Sequence, residues 1–360
     1  MSASPAVPRS SWLSPLLAWL ILALHFVIGP NVLVDLVAGG LLVATVFAAV
    51  YHAEVIAHWL GEPIGTLVLA IAVTVIEVAL IVSMMIAGGP DKAVLARDTV
   101  FAGVMIICTG IIGLCLLAGG IRHHEQDFTV YGASAALAVL ATLTILTLVL
   151  PNFTISAPGP NFSPLQLVFA GVVSLILYVS FIFVQTVRHR DYFLPVNGND
   201  AEEHAPQPDR RSAVISLLLL LMALIAVVGI AKSLTPVLES AIAKAGIPQP
   251  VVGIVIAAVV LLPEGLAALR AARLNRLQTS MNLALGSALA SIGLTIPAVA
   301  AIAVFLNRPL TLGLDGKEEV LLALTLLLCV ITLGRGRTTV LQGIVHLVVF
   351  AAFLFVAIVP

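Results

Sequence analysis

The sequence predicts an all-α integral membrane protein with about eleven transmembrane helices. Of its 360 residues, 61% are hydrophobic and only 10% are charged, whereas a soluble globular protein carries about 25% charged residues. The apolar residues form runs of roughly 20 residues, which is the length that a helix needs to cross a bilayer. These runs do not alternate apolar with polar residues, so they do not predict the strands of an outer-membrane barrel.

Eleven apolar runs predict the helices in chain order. They cover residues 12–29, 32–51, 63–87, 94–118, 131–150, 164–186, 213–231, 251–271, 281–306, 319–333 and 339–359. The longest polar interruption, residues 187–212, is rich in Pro, Asn and charged residues and predicts a flexible loop. The chain is therefore predicted to contain an N-terminal tail and leading helix (1–30), a first five-helix repeat (31–186), this loop (187–212) and a second, inverted five-helix repeat (213–360).

The positive charges predict the orientation, because cytoplasmic loops of membrane proteins are enriched in Lys and Arg. Of the 17 Lys and Arg residues, eleven fall on the side that holds the N-terminus and six on the other. The N-terminus and the loop 187–212 are therefore predicted to be cytoplasmic. With an odd number of helices, the C-terminus is predicted to face outward.

A weak internal repeat relates the two sets of five helices. Aligning residue 63 with residue 250 places PIGTLVLAIAVTVIEVAL over PVVGIVIAAVVLLPEGLA, with Pro63 on Pro250 and Glu77 on Glu264. The same offset lays the fourth run over the ninth without a gap. A repeat of five helices inverts the second unit, and inverted repeats place the substrate site at their interface near the membrane midplane.

Glu77 and Glu264 are the candidate binding residues, because a carboxylate at bilayer depth is costly unless it is paired or hydrated. A protonated glutamate bonded to a neighbouring helix is the simpler interpretation of either residue alone. Neither apolar run contains a Lys or Arg beside its glutamate. A bound cation or protons could instead neutralise both carboxylates in competition, and exchange follows if only the loaded site changes the side that it faces.

Other residues could complete this site. Thr74 lies one helical turn before Glu77, and Ser287 and Ser291 share one face of the ninth predicted helix. Pro263 releases a backbone carbonyl within the helix, and such oxygens are hard ligands suited to Na⁺ or Ca²⁺. Packing alone explains each of these residues equally well.

The sequence resembles the bacterial ChaA-type cation/proton antiporters of the calcium/cation antiporter superfamily. The resemblance is carried by GEPIGTLVLAIAVTVIEVALI, by LARDTVFAGVMII with GLCLLAGG, and by PEGLAALRAARLNRLQTSMNLALGSALASIGLTIP. It implies two inverted repeats in a bacterial inner membrane, a periplasmic C-terminus, and efflux of Ca²⁺, Na⁺ or K⁺ in exchange for protons without a cofactor. The acidic site residues of the superfamily correspond to Glu77 and Glu264, and its second Gly-Ser segment corresponds to Ser287 and Ser291.

One departure from the superfamily concerns the ion. Its calcium/proton exchangers typically carry Gly-Asn shortly before the site glutamate, whereas this chain has Val73–Thr74 and Val260–Leu261. Fewer oxygen ligands argue against a tight site for calcium alone. Monovalent transport therefore remains a second possibility.

Six of the eight histidines fall in loops that are predicted to be cytoplasmic. Since histidine titrates near neutrality, they are candidate sensors of cytoplasmic pH, with ordinary solvated loop residues as the alternative. The candidates are His52, His58, His123, His124 and His204, and His189 lies on the same side. His25 and His346 lie within apolar runs and are predicted to be core residues, and Arg97 with Asp98 is predicted to form an interfacial ion pair.

Several function classes are disfavoured. No basic block points to nucleic acid, and the three cysteines lie inside apolar runs, where they cannot form a disulfide framework. No metalloprotease, serine-hydrolase or intramembrane aspartyl-protease motif is found, so an enzyme is disfavoured. An uncoupled cation channel or uniporter that uses the same carboxylates is the alternative to an antiporter, and the sequence does not predict an oligomeric state.

Overall fold

The structure is a computed structural model that describes residues 9–29, 31–61, 64–88, 93–194, 208–246, 248–306 and 310–359. Within these ranges, eleven long helices follow one another, and the predicted all-α membrane fold is confirmed. They are α1 (Arg9–Ile28), α2 (Val32–Leu60), α3 (Ile64–Gly88), α4 (Leu95–His123), α5 (Val130–Phe153), α6 (Pro164–Arg188), α7 (Arg210–Lys244), α8 (Pro250–Arg273), α9 (Leu277–Phe305), α10 (Gly316–Leu333) and α11 (Val340–Ile358).

Two helices are longer than their apolar runs predicted. Helix α2 continues to Leu60 and helix α7 continues to Lys244, although the apolar runs end at residues 51 and 231. A helix rises about 1.5 Å per residue, so these helices extend past a hydrocarbon core of about 30 Å into the polar region of the membrane. Polar residues are tolerated there, and the end of an apolar run therefore underestimates the end of the helix.

Helix α10 was predicted from the shortest apolar run, and it begins three residues earlier than that run. Asp315 caps it: the Asp315 side chain accepts from the backbone of Glu318, and the Glu318 side chain accepts from the backbone N–H of Asp315 in return. Ten of the described helices are long and apolar enough to cross a membrane, and α10, whose first turn carries three charged residues, is outside that set.

A two-stranded antiparallel pair, which the sequence did not predict, joins two connections between helices. Strand β1 (Gln126–Asp127) follows α4, and strand β2 (Arg337–Thr338) follows α10. Arg337 Nε donates to Asp127 Oδ1 at 2.8 Å. Gln126 Nε2 also donates to the carbonyl of Ala272, near the end of α8, at 2.9 Å. The ends of α4, α8 and α10 therefore lie on the same side of the membrane-spanning bundle.

The opposite ends of these helices meet in a second set of contacts. Arg97 Nη1, in the first turn of α4, donates to the Gly313 carbonyl just before α10 at 2.8 Å. Asn152 Nδ2, near the end of α5, donates to the Leu314 carbonyl at 2.6 Å. The starts of α4 and α10 therefore lie on the same side as the end of α5, so α5 runs in the direction opposite to α4 and α10. Such alternation is what a polytopic membrane protein requires.

The chain forms two compact units. Unit 1 comprises Met1–Ala87 and Ala201–Ile247, which contain helices α1, α2, α3 and α7. Its core packs α1, α2 and α7 together through small and branched residues, namely Ala18, Ile21, Leu22, Val34, Ala38, Ala226 and Ile230. Gly229 lets α7 approach α1 closely, because a Cβ there would lie 2.6 Å from Leu22 Cδ2.

Unit 2 comprises Gly88–Asp200 and Pro248–Pro360, which contain the other seven helices. Helix α4 is its most buried element, and every residue from Leu95 to Met105 is shielded from solvent. Helices α8, α9 and α11 all pack against α4. The packing is close because glycines face neighbouring helices, which is typical of helix association in membranes.

Candidate cation and proton site

The first half of the predicted site lies on α3, in unit 1. Glu77 is 5% exposed and Thr74 is 7% exposed. They are three residues apart in a continuous helix, so their side chains lie on the same face. Helix α3 is rich in Val and Ile, which have modest helix propensity, but a helix satisfies every backbone group in lipid. The sequence therefore places a carboxyl and a hydroxyl group near the middle of a membrane-spanning helix.

The second half of the predicted site begins on α8, in unit 2. Glu264 is partly buried, and its Oε2 atom is shielded from solvent. Helix α8 runs without interruption through Pro263. Because proline has no N–H, it cannot donate to the carbonyl of Val259, and that oxygen is released one turn before Glu264. The carboxylate and a backbone carbonyl without its usual helical donor are thus near each other on one helix.

Helix α9 supplies the two predicted serines. Ser287 is partly buried, and Ser291, one turn later, is 5% exposed. A Cβ placed on Gly103 of α4 would lie 3.6 Å from Ser291 Oγ and 3.8 Å from Leu261 Cδ1. Helices α4, α8 and α9 therefore meet at Ser291, and their meeting point is one turn of α8 away from Glu264.

The structure thus brings Glu77 together with Thr74, and it places Ser291 of α9 and Leu261 of α8, the helix that carries Glu264, beside the same glycine of α4. The first pair belongs to unit 1, and Glu264, Ser287 and Ser291 belong to unit 2. Among the described residues, no group of three or more His, Cys, Asp or Glu side chains is arranged to hold a metal ion.

The sequence analysis did not single out several buried polar residues, and Thr295 and Asp35 are two of them. Thr295 follows Ser291 by one turn on α9, is fully buried, and its Oγ1 atom has no hydrogen-bond partner among the described residues. Asp35, in the first turns of α2, is 9% exposed, and its Oδ1 atom lies 3.3 Å from Nδ1 of His25. Both residues could have been found from the sequence. Thr295 continues the i, i+4 spacing of the two serines, and Asp35 interrupts the apolar stretch VLVDLVAGG.

The predicted ion pair between Arg97 and Asp98 is confirmed. Arg97 Nε donates to Asp98 Oδ1 at 2.8 Å, and both side chains are shielded from solvent. Arg97 Nη1 also lies 3.6 Å from Asp315 Oδ1. With its bond to the Gly313 carbonyl, Arg97 ties the start of α4 to the segment before α10. These contacts join the two segments at one end of unit 2.

The predicted loop position of His52 is wrong. His52 lies within α2 and is fully buried. Its Nε2 atom is 3.0 Å from the Ser11 carbonyl, and its Nδ1 atom is 3.3 Å from Ser216 Oγ. The apolar run ends at residue 51, but the helix continues to Leu60, and His52 can be buried because both of its ring nitrogens have partners on α1 and α7. His52 therefore contacts neighbouring helices rather than solvent.

The remaining candidate histidines occupy different environments. His58 is exposed in the last turn of α2, so it too lies in a helix rather than in the predicted loop. His123 ends α4, and its Nε2 atom is 3.0 Å from the Arg273 carbonyl. His124 is exposed, and its φ of 64° and ψ of −60° form a γ-turn that ends the helix, in which the N–H of Glu125 donates to the His123 carbonyl at 2.8 Å. His204 lies outside the described residues.

The sequence profile of the sodium/calcium exchanger proteins matches residues 31–187 and 215–359, which is most of the chain. The chain belongs to this family. Its members are transporters rather than enzymes, and they carry inorganic cations without a cofactor.

Individual relatives agree with the family. The chain is 51% identical over 360 residues to y4hA of Sinorhizobium fredii, which is named as an ionic transporter, with 99% of this chain and 98% of that protein covered. It is 37% identical over 316 residues to the sodium-potassium/proton antiporter ChaA of Escherichia coli, covering 87% of this chain and 85% of ChaA. The resemblance to the ChaA-type cation/proton antiporters is thereby confirmed.

A solved structure confirms the fold. The structure of native YfkE, a Ca²⁺/H⁺ antiporter protein, superposes with a TM-score of 0.74 at 16% sequence identity, covering 97% of this chain and 100% of that chain. At this identity the similarity concerns the fold alone. The all-α membrane architecture derived from composition is thus the fold of this solved antiporter. The family profile and the similarity to ChaA, rather than the fold, show that this chain is a secondary-active antiporter.

Proposed function

We propose that this protein exports cytoplasmic cations, Ca²⁺ or the monovalent Na⁺ and K⁺, in exchange for external protons. Glu77 and Glu264 hold the cation and the protons in turn, at a site that opens alternately to the two sides of a bacterial inner membrane. The observation that carries this proposal is a carboxylate within each of two membrane-spanning helices, one 5% exposed and the other with a buried carboxyl oxygen.

The proposal includes two inverted five-helix repeats. Support comes from the helix order, since five long helices follow α1 before the loop of residues 187–212 and five follow it. Support also comes from the family profile, which matches the chain in two separate ranges, 31–187 and 215–359. In this arrangement α3 corresponds to α8, and Glu77 corresponds to Glu264.

Exchange follows from the chemistry of a carboxylate in lipid. Two ionised carboxylates without a counter-ion are unfavourable at bilayer depth, so an empty and deprotonated site does not cross the barrier between its two orientations. A bound cation or protons remove this charge. The site therefore changes the side that it faces only when it is loaded, and cation movement in one direction is coupled to proton movement in the other.

The candidate oxygen ligands suit more than one cation. Besides the carboxylates, the described site residues offer the hydroxyls of Thr74, Ser287 and Ser291 and the carbonyl released by Pro263, which are hard ligands for Na⁺ or Ca²⁺. ChaA of Escherichia coli is named for sodium, potassium and protons, whereas YfkE is named for calcium and protons. We propose that the site accepts monovalent cations and does not restrict transport to calcium.

The test uses inverted membrane vesicles whose interior has been acidified by respiration. Ca²⁺, Na⁺ or K⁺ is added, and the interior pH is followed by dye fluorescence for the wild type, Glu77→Gln and Glu264→Gln. Glu125→Gln is the matched control, because Glu125 is 61% exposed and its contact with Arg337 is 3.8 Å long. We expect alkalinisation in the wild type and the control and its loss in both site variants.

The outcomes separate the alternatives. Exchange retained by a fully inserted Glu77→Gln or Glu264→Gln variant would contradict the site assignment. Cation flux through the wild type without any change in interior pH would contradict proton coupling and would favour an uncoupled channel or uniporter. The amount of each variant in the membrane is measured in parallel, so that a folding defect is not taken for loss of exchange.

A further inference from the structure

Helix α4 contains one π-helical turn, Ile106–Ile111, between two α-helical parts. At its end, the N–H of Ile112 donates to the carbonyl of Ile107, five residues earlier, rather than to Cys108, which is its partner in an α-helix. The Cys108 carbonyl is therefore deprived of its usual donor inside a membrane-spanning helix. In hydrocarbon such a group needs another partner.

His346 of α11 supplies the nearer partner, while Cys329 Sγ of α10 lies 3.9 Å from the same carbonyl. Its Nδ1 atom lies 2.7 Å from the Cys108 carbonyl, and its Nε2 atom lies 3.2 Å from Thr332 Oγ1 of α10. A carbonyl oxygen can only accept, so the proton must be on Nδ1, and Nε2 can accept from the threonine hydroxyl. The imidazole is fully buried, and it joins α4 to α10 and α11 at the π turn.

The other side of the π turn packs against Gly265, the residue that follows Glu264 in α8. A Cβ placed on Gly265, the next residue, would lie 3.0 Å from Ile111 Cδ1, so Ile111 lies directly against the α8 backbone. On the α11 side, a Cβ on Gly113 would lie 3.0 Å from His346 Cβ. The π turn is thus held between the histidine and the helix position next to the candidate carboxylate.

We propose that His346 is a positioning residue for the cation site. Its hydrogen bond keeps the π turn in α4, so that Ile111 lies against Gly265 while Gly103, on the same helix, lies against Ser291. Without the bond, the turn relaxes towards an α-helix. Because each α-helical residue rotates the chain by about 100°, the two parts of α4 then change their relative orientation at the site. This inference rests on the proposed role of Glu264.

Two substitutions test the hydrogen bond separately from packing. In His346→Asn, the side-chain amide nitrogen takes the place of Nδ1 and still donates to Cys108. His346→Leu introduces an apolar side chain of similar size and removes the donor. The cation concentration for half-maximal exchange and the maximal rate are measured in the inverted vesicles and corrected for protein amount. We expect His346→Leu to raise the half-maximal concentration about threefold to tenfold, and His346→Asn to change it less than about twofold.

Hydrogen–deuterium exchange of residues 106–113 in the purified protein is the second readout, and it does not depend on transport. We expect faster exchange in His346→Leu than in the wild type and His346→Asn. If the two variants raise the half-maximal concentration equally, or if His346→Leu changes only the amount of protein, the proposal is overturned. A wild type that exchanges no cation overturns the proposed function instead, and deuterium uptake then decides alone whether His346 holds the turn.

Discussion

At the residue scale, several buried threonines of this protein hydrogen-bond their hydroxyl groups in the same way. Thr99 donates to the Leu95 carbonyl at 2.8 Å, and Thr147 donates to the Leu143 carbonyl at 2.7 Å. In each case the hydroxyl bonds back to the carbonyl four residues earlier, which hides the polar group within its own helix. Thr295 departs from this pattern, because its Oγ1 atom is buried without a hydrogen-bond partner among the described residues.

We expect Thr295→Val to stabilise the protein by about 1 kcal/mol, because valine has the same shape and removes a buried hydroxyl that forms no hydrogen bond. The measurement is the thermal unfolding of the purified protein in detergent. Thr99→Val is the matched control and is expected to be neutral or destabilising, since its hydroxyl is bonded. If Thr295→Val lowers the unfolding temperature as much as the control does, the Thr295 hydroxyl has a partner after all.

Two histidines, His52 and His346, are buried between different sets of helices. His52 bridges α1 and α7 in unit 1, and His346 bridges α4 and α10 in unit 2. In both rings, each nitrogen has a hydrogen-bonding atom within reach. For His346, this agrees with the prediction that it is a core residue. For His52, the neighbours that bury it are distant in the sequence, and only the packed helices reveal them.

At the scale of the elements, glycine determines how closely helices α4 and α11 approach. A Cβ on Gly343 of α11 would lie 2.8 Å from Leu117 Cα and 3.0 Å from the Gly113 carbonyl, both in α4. These are backbone atoms, which cannot move aside as the end of a side chain can. Gly110 adds a further contact, because a Cβ there would lie 3.3 Å from the ring of Phe350.

We therefore expect Gly343→Leu to separate α4 from α11 and to destabilise the protein by about 1–3 kcal/mol, the usual effect of overpacking. Gly316→Ala is the control, because a Cβ at Gly316 meets nothing within 4 Å. Thermal unfolding and the amount of protein in the membrane are measured for both variants. Equal stability of Gly343→Leu and the control would show that the two helices do not pack as described.

At the scale of the whole molecule, the alternating direction of the helices fixes which connections share a side of the membrane. The connections after α4, α8 and α10 meet through β1, β2 and Gln126, and those before α4 and α10 meet at Arg97. The excess of Lys and Arg on the first side predicts that it is cytoplasmic. The structure relates the connections to one another, and the orientation of the molecule in the membrane remains a prediction.

The orientation can be tested with single reactive cysteines. The native Cys108, Cys115 and Cys329 are fully buried, so their background labelling is low. We expect Arg335→Cys, after α10, to react with a membrane-impermeant maleimide only in inverted vesicles, and Lys317→Cys, before α10, only in intact cells. Both positions are exposed. The reverse pattern would place the N-terminus outside the cytoplasm.

Composition and hydropathy alone were sufficient to predict the membrane class, the number of helices and the two central glutamates. The physical reason is that lipid cannot solvate charge or an unpaired backbone group. Membrane-spanning segments must therefore be long apolar helices, and these are visible in the sequence as long apolar runs. A carboxylate within such a run is visible for the same reason. The family then followed from residues in and around these two helices.

Only the tertiary structure decided which polar groups are satisfied and by what. The burial of His52, the bond from His346 to the carbonyl released by the π turn, and the β1–β2 pair all join segments that are far apart in the chain. No local pattern encodes such contacts, because they depend on which helix faces which. The sequence by itself determined which segments of the chain form the long apolar helices and which two of them carry a central glutamate, and packing determined what each polar side chain touches.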